Sequence, residues 1–168
     1  MTAPVDPPFN VTDVLEKYPK ILDYSSDYAG APRALAFEKH DGSNLAWRWD
    51  GHGFGPPELR SGRSALFERW AMKDGIMVHL DRTLFVVAST VLEGLEGVLF
   101  TEFRGKKSFS GEHDPDDPTR TLHPIDLWIR GKGFMPPAHF ADVFSVETTY
   151  RGPLSAKVVE DVRAGRLG

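Results

Sequence analysis

Residues 33–49 read RALAFEKHDGSNLAWRW, and this stretch decides how the chain is expected to fold. Its first part, Arg33 to Phe37, is a short apolar run that predicts a β-strand. Its last part, Asn44 to Trp49, places Leu45, Trp47 and Trp49 on alternate positions, which predicts a second strand with one buried face. The Asp-Gly pair between the two runs is typical of a tight hairpin turn. The stretch therefore predicts two antiparallel strands joined as a hairpin.

Proline and glycine residues divide the rest of the chain into short elements. Apolar periodicity and capping residues predict helices after Ser64, over Asp81 to Glu93, after Pro136 and Pro137, and from Ser155 to about Ala164. Strands are predicted over Gly97 to Phe103, Ile125 to Ile129 and Val146 to Thr149, with a long polar loop from Lys106 to Thr121. Strands and helices follow one another without regular alternation. This mixture predicts an α+β fold in which antiparallel sheets are flanked by helices.

The composition is that of a globular protein with one domain spanning residues 1–168. Of the 168 residues 40% are hydrophobic and 26% are charged, which suffices for a single substantial core. A net charge of −4 excludes a strongly basic surface as an average property of the chain. The absence of cysteine fits a reducing compartment, and no apolar run reaches the ~20 residues of a membrane span. We therefore expect a cytoplasmic protein with no membrane partner.

A lysine lies between two acids directly after the first predicted strand. If that strand continues through Lys39, the lysine shares a face with Leu35 and Phe37 and leaves an apolar surface. Desolvation there would lower the lysine pKa, which an amine requires in order to attack as a free base. Gly42 would let the backbone approach a phosphate closely. Taken on spacing alone, however, the stretch more often indicates a purely structural Asp-Gly hairpin turn.

The segment EKHDGSN resembles the Lys-x-Asp-Gly motif of the covalent nucleotidyltransferase superfamily, in the form that the motif takes in RNA ligases. Four further segments are similar to family motifs in order and approximate spacing: YPKILDY, ELRSGRS, VLFTEFRG and PIDLWIRGKGFMPP. The five segments extend over nearly the whole chain. The resemblance implies an α+β fold like a truncated adenylyltransferase domain of nucleic-acid ligases.

The same resemblance implies a function and a set of site residues. Lys39 would attack the α-phosphate of ATP and become lysyl-AMP, and the AMP would then pass to the 5′-phosphate of RNA or nicked nucleic acid for sealing. The implied nucleotide-binding residues are Glu38, Asp41, Gly42, Asn44, Arg60, Glu102 and Asp126. Mg²⁺ is expected as a cofactor because it shields the ATP triphosphate; the sequence indicates no dedicated protein cage for it. Ile125 departs from the family, which often has an aromatic residue before the aspartate.

Short basic runs suggest where nucleic acid would bind. Arg63, in ELRSGR, and Lys106 and Lys107, in FRGKKSF, are the candidates, although such runs are more often solvated loops. The segment GEHDPDDPTRTLH gathers His113, His123 and several aspartates. This composition is more typical of an exposed turn than of a metal site.

The largest departure from the family lies at the C-terminal end of the sequence. The Glu-Gly-Val-Val strand and the lysine-bearing strand that follow in the family are not found before Gly168. Three alternatives stay open: a fragment of a longer ligase, a natural short homologue that rebuilds its sheet or forms a homo-oligomer, and an enzyme completed by a second chain. The alternative function is that of a non-catalytic homologue that binds nucleotide or RNA as a binding or assembly module.

Overall fold

The structure is a computed structural model, and it describes residues 34–38, 42–59, 82–105 and 120–166. The strands are β1 (Ala34–Phe37), β2 (Ser43–Trp49), β3 (Glu58–Leu59), β4 (Gly97–Gly105), β5 (Arg120–Ile129), β6 (Gly133–Phe134) and β7 (Thr148–Gly152). The helices are α1 (Arg82–Val91), α2 (Pro137–Phe144) and α3 (Ala156–Arg163). All the strand pairs in these ranges are antiparallel. The predicted α+β fold with antiparallel sheets and helices is confirmed.

A five-stranded sheet with the order β3-β2-β4-β5-β6 forms the centre of the described fold. Its core face carries Leu45, Trp47, Leu99 and Phe103, which are fully or almost fully buried. Helix α1 contributes Leu84 and Ala88 to this same core, and helix α2 contributes Phe140. Since apolar side chains fill this layer from both sides, the two helices and the sheet form one hydrophobic core.

The opposite face of the sheet, called here the second face, is also buried at its centre. Ala46, Val98 and Phe100 form a smaller cluster, against which Ile125, Trp128 and Phe134 pack. The expectation that β2 buries one face alone is therefore wrong at Ala46, which is 1% exposed. Alternation along β2 does not show this, because alanine is apolar yet small enough to pass for a solvent-facing residue.

The predicted hairpin between the first two strands is wrong. β1 pairs with β7 in a separate two-stranded sheet, and β2 pairs with β3 and β4. β1 ends at Phe37, and Glu38 follows it outside the strand. An Asp-Gly pair favours a local turn, but the long-range pairing of β1 with β7 determines the sheet in which the first strand lies.

The remaining element predictions are largely confirmed. Ser155 begins α3 as an N-cap, its side chain accepting a hydrogen bond from the Val158 N–H, and α2 begins with proline in its first turn. The last strand lies at Thr148–Gly152, slightly later than predicted. β5 begins at Arg120, so the loop predicted through Thr121 ends too late. The helix predicted after Ser64 lies outside the described residues.

Candidate functional site

Of the predicted site residues, the described ranges contain Glu38, Gly42, Asn44, Glu102 and Asp126. The other predicted site residues lie outside the described residues: Lys39, Asp41, Arg60, Arg63, Lys106 and Lys107. The motif-like segment YPKILDY, residues 18–24, also lies outside them. Glu38 is exposed and lies just beyond β1. The other four described residues lie on or next to the strands β2, β4 and β5.

Gly42 lies immediately before β2, where its backbone packs against β4. A Cβ atom at this position would lie 2.3 Å from the carbonyl oxygen of Phe103 and 3.0 Å from Cγ of Glu102. The carbonyl oxygen belongs to the backbone of a central strand and cannot move aside cheaply. Glycine is therefore required for this close approach, and Gly42 lies directly beside Glu102.

Asn44 and Glu102 lie directly opposite each other in the β2–β4 pair. Opposed residues of antiparallel strands point to the same face, and their Cβ atoms are typically about 4.5 to 5.5 Å apart. Both side chains are half-buried. An amide and a carboxylate thus lie side by side on the second face, at the end of β2 that adjoins the motif.

Asp126 lies on the same face, one strand further along the sheet. It is opposite Phe100 in the β4–β5 pair, and the register shifts between Phe100 and Thr101. This irregularity leaves Ile125 as an extra residue in β5, packed against the apolar cluster of the second face. Asp126 is diagonal to Glu102, a relation that corresponds to about 7 to 8 Å between Cα atoms.

The Asp126 carboxyl lies in a partly apolar environment. Burial raises its pKa to about 6, while the hydrogen bond that it accepts from the Leu127 N–H at 2.8 Å acts in the opposite direction. A carboxyl with a pKa of about 6 is protonated in about one molecule in ten at pH 7, and this fraction rises as the pH falls. It is then able to donate a hydrogen bond as well as accept one.

Sequence analysis did not assign a role to two further side chains on this face. His123 is opposite Glu102 in the β4–β5 pair, and Arg104 follows Glu102 by two residues on β4. Residues two apart on a strand share a face, so both lie next to the Glu102 carboxylate. The signal that locates Arg104 is its spacing from Glu102. His123 was instead considered part of an acidic loop, because the extent of β5 was underestimated.

The far end of the second face holds an ion pair. Nε of Arg48 lies 2.9 Å from Oε1 of Glu58, and Nη2 of Arg48 donates to Oε2 of Glu58 at 3.1 Å. Nη2 makes the hydrogen bond of this pair, while Nε lies close to the carboxylate without a hydrogen bond to it. Arg48 is therefore engaged with a strand neighbour, and it is two rows away from Asn44 along β2.

The described ranges contain no group of three or more histidine, aspartate or glutamate side chains that could hold a metal ion. No helix in the same ranges is long and apolar enough to cross a membrane.

Comparison with protein-family models, with curated proteins and with solved structures finds no match to this chain.

Proposed function

We propose that this chain is an RNA-ligase-like nucleotidyltransferase that uses ATP and Mg²⁺ and forms lysyl-AMP on Lys39. In the first step the neutral amine attacks the α-phosphorus and a nitrogen–phosphorus bond forms. The bond from that phosphorus to the oxygen bridging the β-phosphate breaks, pyrophosphate leaves, and the amine proton passes to solvent. A nucleic-acid 5′-phosphate then attacks the same phosphorus and restores the lysine, and a 3′-hydroxyl finally displaces AMP.

One observation carries this proposal. Three segments that resemble nucleotide-contacting motifs, beginning near residues 38, 98 and 124, lie on or beside three adjacent strands of one sheet. Their polar residues Asn44, Glu102 and Asp126 point to the same face, although sequence spacing did not require it. A sheet built without this site would not need to gather these three residues on one face.

The proposed nucleophile is close to this face along the chain. Lys39 lies three residues before Gly42 in the sequence, and Gly42 packs beside Glu102. This short separation in sequence supports the proposal that one nucleotide contacts both Lys39 and Glu102.

The donors and acceptors present fit a ribonucleotide. The carboxylate of Glu102 accepts hydrogen bonds from hydroxyl groups, and the amide of Asn44 both donates and accepts. Asp126, next to the half-buried Ile125, suits the edge of a base. Mg²⁺ would enter bound to the triphosphate, which requires few ligands from the protein. The overall resemblance to an adenylyltransferase domain forms part of the same proposal.

Transfer of radioactivity from ATP tests the proposal directly. The pure protein is incubated with Mg²⁺ and ATP labelled at the α- or the γ-phosphate, then denatured and separated. We expect label from α-labelled ATP to stay on the chain, none from γ-labelled ATP, and none on Lys39→Ala. Lys157→Ala is the matched control, since Lys157 is exposed on α3, outside the five motif-like segments, and this variant should label normally.

Two other outcomes would contradict the enzymatic proposal. Stabilisation of the fold by ATP without covalent label would identify a binding or assembly module instead. No effect of ATP on label or on thermal stability would leave the Asp-Gly segment as a structural turn and would overturn nucleotide binding altogether.

A further inference from the structure

His123 lies next to Glu102 on the side away from Asn44. The β2–β4 and β4–β5 registers place Asn44, Glu102 and His123 in one row across three neighbouring strands. All three side chains are half-buried and share the second face. The Glu102 carboxylate is therefore flanked by an amide on one strand and an imidazole on the other.

The imidazole ring has an anchor of its own. Nε2 of His123 lies 2.9 Å from Oγ1 of Thr121, two residues earlier on β5 and on the same face. A hydroxyl both donates and accepts, so this contact holds the ring in either neutral tautomer and in the protonated form. The contact with Thr121 restricts the orientation of the His123 ring. The residue opposite His123 on β4 is Glu102.

We infer that His123 is a positioning residue of the proposed nucleotide site: it orients the Glu102 carboxylate toward the ribose hydroxyls of the nucleotide. The inference rests on the proposed function and assigns to that site a preference for ribonucleotides over deoxyribonucleotides. Glu102 gains most from a second hydroxyl when its carboxylate is held in one orientation, because a freely rotating carboxylate must lose rotational freedom on binding. Thr121 supports this arrangement indirectly, by holding the ring.

A double-mutant cycle on nucleotide preference tests the inference. The KM and the maximal rate of lysyl-AMP formation are measured with ATP and with 2′-deoxyATP for the wild type, His123→Ala, Glu102→Gln and the double variant. We expect His123→Ala to raise the KM for ATP about fivefold to tenfold, as the loss of one ordinary hydrogen bond would. The maximal rate should change less than twofold, and the preference for ATP should fall by the same factor as the KM rises. The double variant should have the same KM and the same preference for ATP as Glu102→Gln, because both substitutions remove the same interaction between His123 and Glu102.

Two further variants separate positioning from general damage to the fold. His123→Gln keeps a side-chain donor and should recover part of the preference for ATP. His139→Ala, which removes an exposed histidine on α2, should behave as wild type. If the wild type forms lysyl-AMP and His123→Ala keeps the same preference for ATP over 2′-deoxyATP, the inference is wrong. It is also wrong if the effects of the two single substitutions on the KM multiply in the double variant.

Failure of the proposed function has a different signature. If the wild type binds ATP without labelling, dissociation constants for ATP and 2′-deoxyATP replace the KM values, and the same loss of preference in His123→Ala is expected. If the wild type binds neither nucleotide, the proposed function and the inference are both wrong.

Discussion

At the scale of single residues, Asp126 is a carboxyl group whose pKa is raised by burial. Its pKa of about 6 exceeds the value of about 3.9 expected in the unfolded chain. Between these values the folded state binds more protons than the unfolded state, so this group makes folding less favourable as the pH rises from 4 to 6. Above pH 6 the cost is constant. A charged carboxylate thus lies at a place where an uncharged amide would be more stable.

Replacing Asp126 by asparagine should remove this cost. The amide still accepts the hydrogen bond from the Leu127 N–H but does not ionise. We expect Asp126→Asn to raise the free energy of unfolding by about 1 to 2 kcal/mol at pH 7.5, a range reduced for partial solvent exposure, and to change it little at pH 4. Urea denaturation at the two pH values measures the difference. Asp142→Asn, at an exposed position on α2, is the control and should change stability by under about 0.5 kcal/mol at both pH values.

At the scale of elements, the pairing of β2 with β4 places Asn44 opposite Glu102. A buried contact joins these two strands on the core face, where Nε1 of Trp47 donates to Oγ1 of Thr101 at 2.9 Å. Both residues are almost completely buried. The hydroxyl satisfies an indole N–H that is shielded from solvent, and so the strands are joined by a specific polar contact as well as by their backbones.

Thr101→Val should disrupt this contact with little change of shape. The indole N–H would then be buried without its partner, and we expect a loss of about 1 to 3 kcal/mol in the free energy of unfolding. Chemical denaturation followed by circular dichroism measures it. Thr90→Val on the exposed surface of α1 removes a hydroxyl bonded to the Val86 carbonyl and should cost less than about 0.5 kcal/mol. Equal losses in the two variants would show that the Trp47 contact has no special weight.

Most of these strands and helices can be predicted from the sequence, but their pairing cannot. Local patterns predict β2, β4, α1, α2 and α3: apolar alternation or an apolar run for the strands, apolar periodicity for α1, and prolines or a serine cap for α2 and α3. Pairing partners leave no such period, and this is why β1 was assigned to a hairpin with β2. The start of β5 was missed because Thr121 and His123 are polar residues on a face whose centre alone is apolar.

The sequence predicts some residues of the candidate site and not others. The motif resemblance selected Asn44, Glu102 and Asp126, and the structure brings these three to one face. It omitted His123, whose place beside Glu102 depends on the register of β5, and register is set by the whole sheet. The bulge at Ile125 also has no local signal in the sequence, yet it determines that His123 and Asp126 both face the same way.

At the scale of the whole molecule, the Lys-x-Asp-Gly segment connects two sheets of very different construction. The five-stranded sheet has fully buried side chains on both faces at its centre, including Leu99 and Phe100. Among the residues that the structure describes, the β1–β7 sheet has two strands, and the burial of their side chains ranges from half-buried to exposed. Its strands are far apart in sequence, as in the hydrogen bond from Thr149 to the Ala36 carbonyl across 113 positions. A two-stranded sheet of this kind is marginal in isolation.

This difference predicts two levels of local stability on either side of the segment. Amides of β2, β4 and β5 should exchange with solvent through global unfolding, while those of β1 and β7 should exchange through local opening at a free energy lower by about 2 kcal/mol or more. Hydrogen–deuterium exchange with peptide or residue resolution measures both groups in one experiment. Mild denaturant should accelerate exchange in β4 steeply and exchange in β1 weakly, since local opening exposes little surface. Equal protection and equal denaturant dependence in the two sheets would mean that they unfold as one unit.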